Sequence, residues 1–137
     1  MDSVTVEILP DTRLSKNGLR KSNWRVSQGL SKKAREDAYI LGLVERGESW
    51  VTPEKVAISI VQFHARRPLD FDGLACVCAP TIDGLVDAGI LLDDDPSHVV
   101  SYSMSHQKVK TVAENRVAVT VTPVSARGIN KCKYETG

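Results

Sequence analysis

Between Pro68 and Gln107 this chain has no lysine and no arginine, although seven carboxylates fall there. Other absences narrow the possibilities further. No apolar run approaches the roughly 18 residues that a membrane span needs. The start, MDSVTVEILPDT, has neither the basic opening nor the apolar core of a secretion signal, which points to the cytoplasm. Three cysteines, Cys76, Cys78 and Cys132, are an odd number without zinc-ligand spacing, so free thiols in a reducing compartment are expected. There is no internal repeat and no low-complexity tract.

What is present is a charge pattern. The net charge is only +1, but it is unevenly spread. From Asp11 to Arg35 eight bases (Arg13, Lys16, Arg20, Lys21, Arg25, Lys32, Lys33 and Arg35) face the single acid Asp11. From Lys108 onward there are six bases and two acids. An acidic middle between basic flanks suits an enzyme that holds a metal ion and acts on a polyanion. Seven acids without a cation among them repel one another, and a divalent ion would relieve that.

Hydropathy patterning predicts six elements. Residues 4–9 alternate as a strand that Pro10 ends. A long, basic, Gly-containing loop follows, then a helix over 32–46 with Ser31 as its N-cap and Gly47 as its stop. Val56, Ile58 and Ile60 share one face of a second strand, and Val61 and Phe63 make the other partly apolar, as in a central strand. Pro80 is expected in the first turn of a short helix, 80–88, with Gly89 just past its end. Val100, Tyr102 and Met104 alternate with serines in a third strand, and Val117, Val119 and Val121 mark a fourth. A turn at Ala113–Asn115 is expected to join these two as a hairpin. The order β-α-β-α-β-β implies a single small α/β (α+β) domain over residues 1–124, with helices on one face of a mixed sheet. Residues 125–137 are expected to be a poorly ordered tail.

Asp70 and Asp72 follow Pro68, which favours extended backbone before it. In extended chain, residues two apart point the same way, so both carboxylates are expected on one side. Hard oxygen donors of this kind suit Mg²⁺, with Mn²⁺ as a substitute. Asp93, Asp94 and Asp95 follow the end of a helix, where the macrodipole disfavours negative charge. Turn chemistry accounts for one or two of these acids more readily than for all three.

The run Asp70-x-Asp72-x-Leu74, then Ile82-Asp83-Gly84-Leu85-Val86-Asp87-Ala88-Gly89, then Leu92-Asp93-Asp94 and Val99-Val100, resembles the RusA family of Holliday-junction resolvases. The match covers roughly residues 66–100, and elsewhere only the order of elements agrees. The resemblance implies a homodimeric, Mg²⁺-dependent endonuclease of phage or prophage type that cuts four-way DNA junctions. It implies Asp70, Asp72 and Asp94 as metal ligands and catalytic carboxylates, with Asp93 and Asp95 as acidic neighbours. The bases Arg13, Lys16, Arg20, Lys21, Arg25, Lys32 and Lys33, with Arg66 and Arg67, are then expected to bind DNA phosphates.

Two departures from the family pattern stand out. Its Asn after the second Asp is Gly73 here, and its lysine about a turn later falls on Cys76 or Ala79, depending on the alignment. The Arg that relatives place before the first Asp is Leu69. A junction-binding protein with little nuclease activity is therefore the second reading, and a nucleotide-sugar transferase using Asp-x-Asp a distant third. Among other residues, Trp24 is a candidate for stacking on bases. Trp50 is expected at the foot of the second strand. His64, His98 and His106 are read as structural.

Overall fold

The structure is a computed structural model that describes residues 3–11, 14 and 24–124. Four strands and two helices follow one another in the order β1 (Val4–Ile8), α1 (Trp24–Arg46), β2 (Val56–His64), α2 (Phe71–Asp87), β3 (Val99–Lys108) and β4 (Arg116–Pro123). The strands form one mixed sheet in the order β1-β4-β2-β3. β4 is antiparallel to both β1 and β2, while β3 runs parallel to β2. This is the small α+β fold that the patterning predicts, with β2 central.

Alternation builds the core. Val4 and Val6, then Val56, Ile58 and Ile60, then Val117, Val119 and Val121 point to one face and are buried there. From the helical side Leu74, Cys78, Ile82 and Leu85 of α2 complete the same cluster. The opposite face alternates hydroxyls and small side chains. On it Ser3 and Thr122, and Thr5 and Thr120, pair across strands at 2.8 Å. Trp50 packs against the core as expected and donates from Nε1 to the Ile90 carbonyl.

The expected β3–β4 hairpin does not form. Tyr102 lies beside Ile58 on one flank of β2, and Val121 lies beside Ile58 on the other, so β2 separates them. The connection climbs over the end of β2 through a short 3₁₀ turn at Val112–Glu114. It is tied there by Val109 N–H to the His64 carbonyl and by Ala65 N–H to Asn115 Oδ1. A strand apolar on both faces, as β2 is, gains most from neighbours on both edges, and seven linking residues suffice to step across one strand.

Both helices begin earlier than the sequence suggests. α1 starts at Trp24 rather than residue 32 because Leu30, Ala34, Ala38 and Gly42, four residues apart, carry one inward face through the weak helix formers Ser27, Gly29 and Ser31. α2 starts at Phe71, nine residues before Pro80, which lies inside it. An interior proline removes one helical hydrogen bond and costs about 3 kcal/mol in an exposed helix. Here Leu74, Val77 and Cys78 before it and Thr81, Ile82 and Leu85 after it are all buried, and that burial outweighs the loss.

The two helices cross closely. A Cβ on Gly84 would lie 2.3 Å from the Arg35 carbonyl oxygen and 2.7 Å from Ala38 Cβ, so only glycine fits. Gly47 and Gly89, both with positive φ (68° and 74°), end the helices as expected. Past α2 the carbonyls of Ala88, Gly89 and Ile90 accept from Arg46 Nη1 (2.8 Å), Thr52 Oγ1 (2.6 Å) and Trp50 Nε1 (3.2 Å). Orphan acceptors at a helix end are satisfied in this way, and the route of the following acidic loop is fixed.

Candidate metal and nucleic-acid site

Asp70 is not in extended chain beside Asp72, as the sequence suggests. It is the N-cap of α2, with Oδ1 accepting from Gly73 N–H at 2.6 Å, and Asp72 lies in the first helical turn. Both carboxylates are exposed at the same helix end. The cap occupies one oxygen of Asp70. It also supplies a fold-level reason for an acid at position 70, since Asp is a favoured N-cap and acids suit the positive end of the macrodipole. Gly73, the position where the family pattern has Asn, is buried, and a Cβ there would lie 2.9 Å from Asp70 Oδ1.

Two side chains hold the residue before the cap. Gln62, buried on β2, accepts from Leu69 N–H through Oε1 at 3.1 Å, and His106 Nε2 on β3 pairs with the Leu69 carbonyl at 2.8 Å. His106 also packs on Phe71, ring to ring at 4.9 Å. The entry to α2 is thus fastened to two neighbouring strands. Neither Gln62 nor His106 stands out in the sequence, because 7 and 37 residues separate them from Leu69. His106 shares a face of β3 with Tyr102 and Met104, which is the single sequence signal pointing inward.

Asp94 lies at the other end of α2. β3 starts there, Val99 pairing with Val56, whereas Lys108 pairs with His64 near the Asp70 end. The Asp94 carboxyl feels the charge of Asp83, thirteen residues beyond Asp70 on α2. At 1.5 Å per residue that is about 20 Å along the helix axis. Asp94 is held protonated to higher pH than an ordinary carboxyl, first by loss of water, then by a hydrogen bond from the Asp93 side chain and by the charges of Asp83 and Asp93. Tyr102 borders the same group. Its hydroxyl is pushed up to about 12 by burial, then by Cys78 and Asp94.

The three consecutive acids divide by role. Asp93 Oδ1 accepts from Asp94 N–H, and Asp95 Oδ1 accepts from Ser97 Oγ and His98 N–H, an Asx turn that leads into β3. That bonding, chiefly to the Ser97 hydroxyl, holds the Asp95 carboxyl below its usual range. Turn chemistry therefore explains Asp93 and Asp95, and Asp94 is the acid it does not use. His98 is structural, as expected, with Nδ1 against the Glu54 carbonyl.

Asp70 and Asp72 offer hard oxygen donors that suit Mg²⁺ or Mn²⁺. Among the described residues of one chain, no three His, Cys, Asp or Glu side chains form a ready-made metal cluster. The structure thus brings two of the three expected ligands together and holds the third apart.

The bases distribute likewise. Arg66 and Arg67 are exposed in the turn just before Asp70. Arg25, Lys32 and Lys33 lie on α1 rather than in a loop, Lys32 at 4.0 Å from Glu36. Arg35 is engaged with Asp87 through two hydrogen bonds of 2.6 and 2.9 Å. Arg13, Lys16, Arg20, Lys21, Cys132 and the side chain of Trp24 lie outside the described residues. No described helix is long and apolar enough to cross a membrane. No protein-family model matches the chain, and no curated protein matches it.

Proposed function

We propose that the chain is a metal-dependent endodeoxyribonuclease for branched DNA, four-way junctions above all, that works as a twofold dimer. The observation that carries this reading is the pairing of Asp70 and Asp72 at the N-terminus of α2 with Arg66 and Arg67 beside them. Acidic oxygens for an ion and cations for phosphates then meet within a few residues. Asp70 and Asp72 would hold the ion, Asp70 through the oxygen that does not cap the helix. Bound Mg²⁺ would supply the charge that activates water and stabilises the phosphate as it is attacked. Arg66 and Arg67, with the bases at 13–33, would bind backbone phosphates and orient the strand. Gln62 and His106 keep the acidic pair in place through Leu69.

Because Asp94 is about 20 Å along α2 from Asp70, a centre that uses all three acids takes Asp94 from a second copy. A twofold dimer then has two such centres, one for each of two symmetric strands.

The second reading, a junction-binding protein with little nuclease activity, draws on one feature of α2. Cys76 and Ala79, the two alignments of the family lysine, lie on the same outer flank as Asp72, and neither carries a charge. An end-labelled four-way junction incubated with Mg²⁺, Mn²⁺ or EDTA separates the readings. Metal-dependent paired nicks that disappear in Asp70→Asn support the nuclease. Tight, salt-sensitive binding without nicks under either metal supports the binding protein.

A further inference from the structure

We infer that β3 is a self-pairing edge: two copies of the chain join β3 to β3 antiparallel about a twofold axis perpendicular to the sheet, making one eight-stranded sheet. The two edges of the sheet differ sharply. β1 is five residues long and carries Glu7. β3 is ten residues long, has no proline, and has no Asp, Glu, Lys or Arg before Lys108, its last residue. Folded proteins shield edge strands with shortness, lysines, prolines or inward charges, and β3 has none of these along its middle. Its one irregularity, a register shift opposite Val56 and Ala57, is confined to its start.

The surface beside that edge is apolar where a second sheet half would lie. Tyr102 on β3 is 45% exposed and Val100 36%, although Tyr102 faces the helical side of the sheet. Phe71 at one end of α2 and Leu92 beyond the other are exposed as well. Along the outer flank of α2, between Asp72 and Asp83, the exposed or half-buried side chains are Ala75, Cys76 and Ala79. With strands about 4.8 Å apart and α2 seated over β2 and β3, the operation sets the two α2 helices about 10 Å apart. That is an ordinary distance for packed helices, and small residues permit it.

Charge selects a second copy as the occupant and antiparallel as the direction. Asp93, Asp94 and Asp95 precede β3, whereas Lys108 and Lys110 lie at its other end, on the same side of the molecule as Arg66 and Arg67. Antiparallel apposition sets the acidic end of each copy against the basic end of the other, twice. A parallel arrangement would set like against like. Side chains paired across antiparallel strands must share a face, so the axis passes through one residue paired with itself, and full overlap places it at Ser103 or Met104. The same operation carries Asp94 of one copy toward the α2 N-terminus of the other. This last consequence rests on the nuclease reading, but the interface itself does not.

The test therefore uses the full chain without DNA or metal. Sedimentation equilibrium of the wild type at micromolar concentration should give twice the monomer mass. Ser103 and Ser105 are exposed on the face away from the helices, so S103K/S105K and S103E/S105E should keep the wild-type circular dichroism. Each should sediment at half the wild-type mass, because like charges meet across the axis. Mixing the two variants should restore the doubled mass. A wild type that stays monomeric overturns the proposal. So does a lysine variant that stays dimeric, or a mixture that stays monomeric. A dimer that passes this test while junction cleavage is absent retains the interface and discards the nuclease.

Discussion

The two ends of α2 hold acids for opposite reasons. At the N-terminal end, Asp70 caps the helix and Asp72 lies in its first turn, where backbone N–H groups and the macrodipole favour negative charge. At the C-terminal end, Asp83 and Asp87, followed by Asp93 and Asp94, gather where the dipole opposes them. Arg35 relieves Asp87 alone. The first group is stable as the fold stands. The second carries a cost visible in Asp94, whose neighbours Asp93 and Asp83 keep it from ionising as an ordinary carboxyl does. An acid that its own chain disfavours is the one that a cation, or a basic surface of another copy, has most to offer.

Variants can sharpen that contrast. The largest effect is expected at the crossing that positions the C-terminal end. Gly84→Ala drives a methyl into the Arg35 carbonyl and should lower unfolding free energy by about 3 kcal/mol, read by urea denaturation. At the other end, Asp70→Ala removes the cap and should cost about 1 kcal/mol, whereas Asp70→Asn keeps an acceptor and should melt near wild type. A nuclease that loses cleavage equally in both, while only the alanine variant loses stability, separates the carboxylate's chemistry from its capping role. If Asp70→Asn melts as low as Asp70→Ala, the capping account is wrong.

The thiols of α2 should differ in the same direction as their burial. Cys78 is fully buried and pushed up to about 12, so it should resist alkylation at neutral pH in the folded protein, while half-buried Cys76 reacts. Mass spectrometry after brief iodoacetamide treatment distinguishes them. The smallest effect is expected from the exposed Arg35–Asp87 pair. Asp87 is held below its usual range by the Arg35 hydrogen bond and charge. Its contribution is therefore present above the unfolded carboxyl value of about 4 and disappears as pH falls through the lower folded value. Asp87→Asn should lower the Tm slightly at pH 7, less in high salt, and not at all at the acid end of that window.

Much of this architecture was legible in the sequence, and the misses share a cause. Period-two alternation located β1, β2, β3 and β4 because each buries one face or, for β2, both. Gly47 and Gly89 marked helix ends because positive φ needs glycine. The start of α2 was hidden by Pro80, whose usual place is a first turn. Burial on both sides of it overrode that preference. The hairpin expectation failed because sequence neighbours are not obliged to be sheet neighbours when a central strand can take both edges. At the site, the Asp-x-Asp spacing was visible, but its backbone was not. Extended chain and a capped first turn present the same residues in different directions. Gln62 and His106 were invisible because what they do depends on strand register. The separation of Asp94 from Asp70 follows from the length of α2, and an α2 read as starting at Pro80 conceals it.

The measurement that reaches the central claim most directly is subunit complementation. Asp70→Asn and Asp94→Asn chains, carrying different tags, would be co-expressed and the mixed dimer isolated by both tags. Each variant alone should leave a four-way junction uncut. In the mixed dimer one centre combines an intact Asp70 with an intact Asp94, so Mg²⁺-dependent nicking of one strand should return. A mixed dimer as inactive as its parents, beside a wild type that cleaves, would contradict a centre shared between two copies.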